Sequence, residues 1–396
     1  MQNTEVDKFL KRFSLPHYDL IGDDDSFFNA LKNSSQSYKD EIRDIYFGGE
    51  FIYNHDGSSH RYGETMGAVP SSRKVDNLFR VQDELGVEIS LTLNSLNIPP
   101  SLISDAKVLD EFINWLNNYY ERGLRSCTIS STHLMRTGRL QEAFPEMRWK
   151  NTVNHQVKST QEVYDYAALG YNTILLDRSL NRDVETLKEI KVEAIKLGVE
   201  TSLLATEGCA PSCPFKNEHD QWQSSISYWS VFTNTCNQWR DGAMLPRAGT
   251  DINLATKELV DLYFDNVDIL KFSGRLSRPN LSSSSKLCWV AKPLDLISDL
   301  KMGFSSEDTE NLDCFEDIYN ANAAPFIGTR WEKTGFVLEG VVNKVNTYKE
   351  SDLIWTSKKG KSLAKVLTTC KNRCWDCHAC EKVFGVPTYN SLMEIK

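Results

Sequence analysis

Four cysteines fall within eleven residues near the end of the chain: Cys370, Cys374, Cys377 and Cys380, separated by three, two and two residues. Gaps this short let one loop converge its thiolates on a single centre, as zinc knuckles and iron-sulfur loops both do. Clustered free thiols are reactive, so a metal site is the expectation here rather than four idle side chains. His378 is an alternative ligand if the metal is zinc.

A second group begins with Glu207-Gly-Cys209-Ala-Pro-Ser-Cys213 and continues to Cys236, with Cys288 as the expected fourth partner ahead of Cys314. Several strand-like segments also end on polar residues: Glu50, Asn94, Ser130, Asn154 with His155, Asp177 with Arg178, Glu207, and Lys271 with Arg275. One capping residue explains nothing, but the recurrence from strand to strand suggests a ring of chemistry around one pocket. Glu207, Lys271, Arg275, His155 and Asp177 are the candidate catalytic residues, and Lys271 with Arg275 suit a substrate carboxylate or phosphate. Trp222, Trp229 and Trp239 beside the second cysteine group read as core or shielding residues.

The elements that must position these groups alternate. From about residue 40 to 275, short apolar runs are followed by turns and amphipathic segments of helical period. Strands are expected at RDIYF (43–47), VEISLTLN (87–94), SCTISS (126–131), KNTVNHQV (150–157), NTILLD (172–177), VETSLLA (199–205) and VDILKFSG (267–274), with an eighth unassigned. The intervening helices, such as VDNLFRVQDELG and RDVETLKEIKVEAIKLG, stop on glycine. Helix, glycine stop and buried strand in repetition, with no glycine-rich dinucleotide turn, predict an α/β fold of the (β/α)8 TIM-like type. Strand-end loops line the active site of such a barrel, which places Cys209 and Cys213 there. The expected division is an N-terminal extension (1–40), the barrel (41–330) and a small C-terminal cysteine-rich module (331–396).

With 396 residues and 40% hydrophobic content the chain can bury a large core. A net charge of -9 opposes broad binding to a phosphate backbone. Ten unevenly spaced cysteines in a long chain, without a signal-like start or a membrane-length apolar run, point to a soluble cytoplasmic protein whose thiols bind metal.

VDILKFSGRL resembles a signature of the collagenase-like peptidases, family U32, and LLATEGCAPSCPF occupies the place of that family's cysteine-bearing strand end. NTVNHQVKSTQEVYDYAALGYNTILLDRSL is similar to its central strand, helix and strand. The resemblance spans about residues 40 to 290. It implies a TIM-like barrel with a [4Fe-4S] cluster, here on Cys209, Cys213 and Cys236, with Lys271 and Arg275 in the pocket. Relatives of this kind look like oxygen-independent hydroxylation factors for ubiquinone precursors or RNA, some taking oxygen from prephenate. Ser273 stands where the family commonly has Glu, and the tail cysteines are not a general family feature.

The expected function is therefore iron-sulfur redox or hydroxylation chemistry on a small or RNA-borne substrate, with an electron donor or partner subunit. The tail would hold a second iron-sulfur cluster or zinc. A metal-dependent hydrolase or peptidase is an alternative, although neither HExxH nor a Gly-x-Ser-x-Gly elbow occurs. A zinc-knuckle binding protein is another. The triplet Cys370-x3-Cys374-x2-Cys377 also matches radical S-adenosylmethionine enzymes, but those carry it after the first barrel strand, and the first cysteine here is Cys127.

Overall fold

The helices stop where the glycines stand. Gly86 and Gly198 close α3 (Ser72–Leu85) and α9 (Val184–Leu197) at φ 68° each, a left-handed conformation that glycine adopts without a Cβ penalty. Side chains cap the other ends: Ser71 accepts from the Lys74 amide, and Ser159 forms a reciprocal capping box with Glu162 ahead of α8 (Thr160–Ala168). The computed structural model describes residues 13–17, 25–34, 36–65, 69–204, 216–224, 262–271, 369–371 and 373–377.

Each helix returns the chain to start a strand parallel to the last. The strands are β1 (Phe13–Pro16), β2 (Ile42–Gly48), β5 (Ile89–Leu93), β6 (Ser126–Ile129), β7 (Arg148–Lys150), β8 (Thr173–Leu175), β9 (Glu200–Leu204) and β10 (Ile269–Lys271). They close a parallel barrel in the order β1-β10-β9-β8-β7-β6-β5-β2, so the chain is a (β/α)8 barrel. Further helices are α1 (Ser26–Asn33), α2 (Gln36–Glu41), α4 (Ser101–Ser104), α5 (Ala106–Glu121), α6 (Thr132–Arg136), α7 (Arg139–Ala143) and α10 (Lys216–Gln223).

The eighth strand is FSLP at the start of the chain, within the segment expected to be an extension. Four residues are too few to display a period. The fifth strand of the barrel also differs from expectation. Arg148–Lys150 pairs with β6, whereas Val153–His155 forms a 3-10 turn begun by Thr152, whose side chain accepts from the Asn154 amide. The β-branched Thr152 and Val153 carried the strand signal, and Asn154, His155 and Gln156 turn the chain out of it.

Outward-facing Ile45, Phe47, Leu91, Leu93, Ile129, Trp149, Ile174 and Leu203 pack beneath the helices, buried with Leu78, Phe112, Leu116 and Leu187. Each fully buried aliphatic side chain contributes roughly 1.5–3 kcal/mol. After β2 a hairpin, β3 (Glu50–His55) with β4 (Ser58–Gly63), is inserted. Its base needs glycine, since a Cβ at Gly63 would stand 2.4 Å from the Gly49 carbonyl oxygen. Among the described residues no helix is long and apolar enough to cross a membrane.

Candidate active site

Inside the barrel the usual aliphatic layers are replaced by charge. At the end where the strands begin, Arg43 donates to Glu88 at 2.8 Å and to Glu200 at 3.1 Å. Arg148 reaches Asp44 at 2.9 Å, Glu88 at 2.5 Å and Glu200 at 3.4 Å. One level further in, the Lys150 ammonium donates to Asp44 at 2.8 Å and the Ser14 hydroxyl donates to its other oxygen at 2.6 Å. Asp44 is fully buried. Burial alone would raise its carboxyl, but Lys150 and Arg148 overcome that and hold it well below the usual carboxylate range. Ser126 donates to Ser90 at 3.0 Å on the neighbouring wall.

Sequence reading missed this network, although its signal was present. A parallel strand buried on both faces reads as an unbroken apolar run. Here polar residues alternate instead: Asp44 in RDIYF, Ser90 and Thr92 in ISLTL, Ser126 and Thr128 in SCTI.

At the other end, where catalytic residues of such barrels gather, Lys271 is 8% exposed and its amino group lies 3.9 Å from the centroid of the Tyr46 ring. Leu204 is the register partner of Lys271, and with Val153 and Leu175 it forms a small apolar cluster on the wall made by β8, β9 and the turn after β7. Asp177 is buried and spends one carboxylate oxygen capping the turn Arg178–Arg182, accepting from the Ser179 amide at 2.9 Å. Arg178 donates to Asn154 at 3.4 Å. His155 is bound to the Ser130 carbonyl at 2.7 Å through Nε2 and packs against Tyr166, with ring centroids 5.1 Å apart. Burial lowers its pKa to about 4, against the opposing hydrogen bond to Ser130, so the ring is neutral at pH 7 with its Nε2 hydrogen on Ser130. Glu50 pairs with Arg61 at the base of the hairpin, and Asn94 accepts from the Thr65 amide at 2.9 Å.

The structure thus brings His155, Asp177 and Lys271 to strand ends of one barrel face, each engaged by a neighbouring group. Glu207, Arg275, Cys209, Cys213, Cys236 and Cys288 lie outside the described residues, as does Cys380. Beyond β9 the next described segment is α10, where Asn217 accepts from Gln156 at 2.5 Å and Ser224, just past the helix, accepts from the Leu96 amide at 2.9 Å. The helix therefore meets the loops after β7 and β5.

Tyr62, unremarked in the sequence, ties the hairpin to this rim. Its phenol oxygen donates to the Leu93 carbonyl at 3.2 Å and accepts from the amides of Ser130 at 3.2 Å and Ser131 at 3.3 Å. Tyr62→Phe leaves the buried Ser131 amide without this acceptor, and urea unfolding should register a loss of about 1–3 kcal/mol.

The tail returns to the same rim. Thr369 bridges Asp183, just before α9, and the Lys371 ammonium contacts Asp183 at 3.2 Å and Glu185 at 3.4 Å. Cys370 is half-buried and Cys377 is exposed. The short helix Cys374–Cys377 sets two cysteine positions one turn apart. Cysteines so closely spaced are a donor set that fits zinc or an iron-sulfur cluster. Among the described residues no three His, Cys, Asp or Glu side chains form a group that could hold a metal ion.

No family model matches the chain, and no curated protein matches it. A solved U32 peptidase aligns with 67% of this chain and 94% of its own, at 10% identity and a TM-score of 0.44. The HpcH/HpaI aldolase from Desulfitobacterium hafniense DCB-2 aligns with 59% of this chain and 93% of its own, at 10% identity and a TM-score of 0.28. A pyruvate carboxylase of Rhizobium etli aligns with 90% of this chain and 35% of its own, at 8% identity and a TM-score of 0.31.

Proposed function

We propose that the chain is an iron-sulfur enzyme performing redox chemistry, of the oxygen-independent hydroxylation type, on a small or RNA-borne substrate at the barrel mouth. The observation that carries this reading is the docking of the tail. Thr369 and Lys371 hold Cys370 beside Asp183, at the barrel end where strand-end side chains meet substrate. In this reading Cys370, Cys374, Cys377 and Cys380 hold one centre, and Cys209, Cys213, Cys236 and Cys288 hold another closer to the substrate. When bound, a thiolate-held cluster supplies one-electron transfer at a potential tuned by burial and hydrogen bonding.

The chain's own residues do the rest. Lys271, with Arg275, attracts and orients an anionic group of the substrate. Val153, Leu175 and Leu204 keep water from its apolar side. Asp177 and neutral His155 hold the strand-end loops in place. The oxygen atom would come from the hydroxyl of a co-substrate R′OH, reduced to R′H as the substrate RH becomes ROH. The exchange needs no net electrons, so a separate electron donor would only bring the cluster to its working state.

Anaerobic purification tests this directly. The expected protein is brown, absorbs at about 400 nm and carries iron, and Cys374→Ala should remove about four irons per chain by Mössbauer spectroscopy. Cys209→Ala should remove a separate set. A colourless protein containing only zinc would overturn the proposal.

A further inference from the structure

Helix α9 is apolar on two sides. Leu187, Ile190 and Ala194 face the barrel and are fully buried, as the inner stripe of a surface helix should be. Val192 and Ile195 lie on the opposite side, 56% and 66% exposed. A solvated helix position is served better by glutamate, lysine or alanine than by a β-branched side chain, so the helix itself has no use for valine and isoleucine there.

The neighbouring helix extends this surface. Among the described residues five large apolar side chains are exposed, and three of them, Tyr164 of α8 with Val192 and Ile195 of α9, fall on two helices packed side by side. Tyr164 and Val192 each stand six residues before the glycine that ends the helix, Gly170 or Gly198, and the strands that follow pair Thr173 with Glu200. The two side chains therefore sit at about the same level, on helices whose axes are about 8–10 Å apart. Single exposed apolar residues need no explanation, but a contiguous patch calls for a partner.

Charge selects the occupant. Residues seven apart share a side of a helix, so exposed Glu189 and Lys196 border Val192 on one flank, and Lys188 and Ile195 on the other. A two-fold axis perpendicular to α9, passing between Val192 and Glu193, sets a second copy of the helix antiparallel to the first and keeps each flank against its own counterpart. Glu189 then faces Lys196 of the second copy, and Lys196 faces the second copy's Glu189, because the two stand equally far from the axis on opposite sides. On the other flank Ile195 lies against the aliphatic stem of the second copy's Lys188, and at the centre the two Val192 side chains meet. A purely acidic or purely basic partner would satisfy half of this pattern, whereas a second copy satisfies all of it. Antiparallel helices also oppose their macrodipoles.

We propose that a second copy of this chain docks on the α8 and α9 face, with the two α9 helices antiparallel about a two-fold axis beside Val192. This goes beyond the iron-sulfur reading and rests on no cysteine. Two helices of this length offer less than the roughly 800 Å² that each partner of a standard interface contributes, so dissociation of micromolar order is expected. The test is sedimentation equilibrium of the purified full-length protein from about 1 to 200 µM, in reductant to exclude disulfide-linked dimers, with iron measured on the same samples.

Wild type should pass from monomer toward dimer mass across this range. Val192→Glu should weaken dimerisation at least about 100-fold, since two-fold symmetry counts each loss twice. Glu189→Lys and Lys196→Glu, substitutions at exposed positions that leave the fold intact, should each weaken it about tenfold, and Glu189→Lys/Lys196→Glu should return it to within about threefold of wild type. Melting temperatures of the dilute monomers and iron content should be unchanged, which separates this outcome from the fate of the cluster assignment. A wild type that stays monomeric, or a dimer undiminished by Val192→Glu, would overturn the proposal. So would a double reversal no better than its single components, because the α9 helices then do not meet in this register. A monomeric wild type whose melting temperature falls with Val192→Glu would overturn it as well, and would assign the patch to a segment of the same chain.

Discussion

Asp44→Asn should destabilise the protein by about 3–5 kcal/mol, because it removes the carboxylate that Lys150 and Arg148 share inside the barrel and leaves the buried Lys150 ammonium without its counter-ion, while Arg148 keeps Glu88 and Glu200. Asp44 is 0% exposed and Lys150 is 2% exposed, so water cannot replace the lost partner. At about 2–4 °C per kcal/mol for a domain of this size, the melting temperature should fall on the order of 10 °C. Asp44→Asn/Lys150→Met should recover part of that loss, since removing both charges spares the penalty of an unpaired one. The pH dependence stems from the depressed carboxyl. Its folded pKa lies below the unfolded value of about 3.9, so its stabilisation is fully present above that value and fades only in stronger acid. An unchanged midpoint in urea for Asp44→Asn would show that the ion network does not depend on this carboxylate.

The barrel was legible because its helices and strands obey local rules. Gly86, Gly170 and Gly198 mark helix ends in the sequence and take positive φ in the fold. The apolar runs containing Ile45, Leu91, Ile129 and Ile174 are strands because their outward positions must be buried beneath helices. The features that escaped notice depend on closure. Phe13–Pro16 is a strand through its pairing with β2 and β10, partners distant along the chain. Asp44 looks like a surface residue until closure brings Arg148 and Lys150, more than one hundred positions away, to face it. The strand-end residues Asp177 and His155 were visible as polar punctuation, but capping of one turn and a bond to the Ser130 carbonyl arise only in three dimensions.

The position of the first strand also bears on the tail. A cysteine triplet of the radical-enzyme kind belongs after the first barrel strand, which is β1 rather than β2. No cysteine lies between Pro16 and Ile42, or anywhere before Cys127. The case against that chemistry therefore survives the reassignment of the strand. The tail instead reaches the barrel rim through the Thr369 bridge and through Lys371, whose ion pairs with Asp183 and Glu185 are exposed and screened by salt.

The second large effect concerns acid. His155 has a folded pKa of about 4 because burial disfavours its cation, and the unfolded side chain titrates at about 6.5. As pH falls through that interval the unfolded chain takes up a proton that the folded chain refuses, so unfolding is favoured. The contribution is fully present above about pH 6.5 and is lost progressively toward pH 4, amounting to about 3 kcal/mol. Other carboxylates titrate at the lower end of this range, so the informative quantity is a difference between proteins. His155→Gln retains an N–H donor for the Ser130 carbonyl but cannot be protonated. Urea unfolding of wild type and His155→Gln at steps from pH 7 to pH 4 should show their stability difference shifting by about 3 kcal/mol in favour of the variant. Parallel profiles would place His155 in contact with water and remove the physical basis for treating it as a neutral fastener of the β6 and β7 ends. A converging profile would assign it that role, and would leave proton transfer near neutral pH to other groups at the mouth.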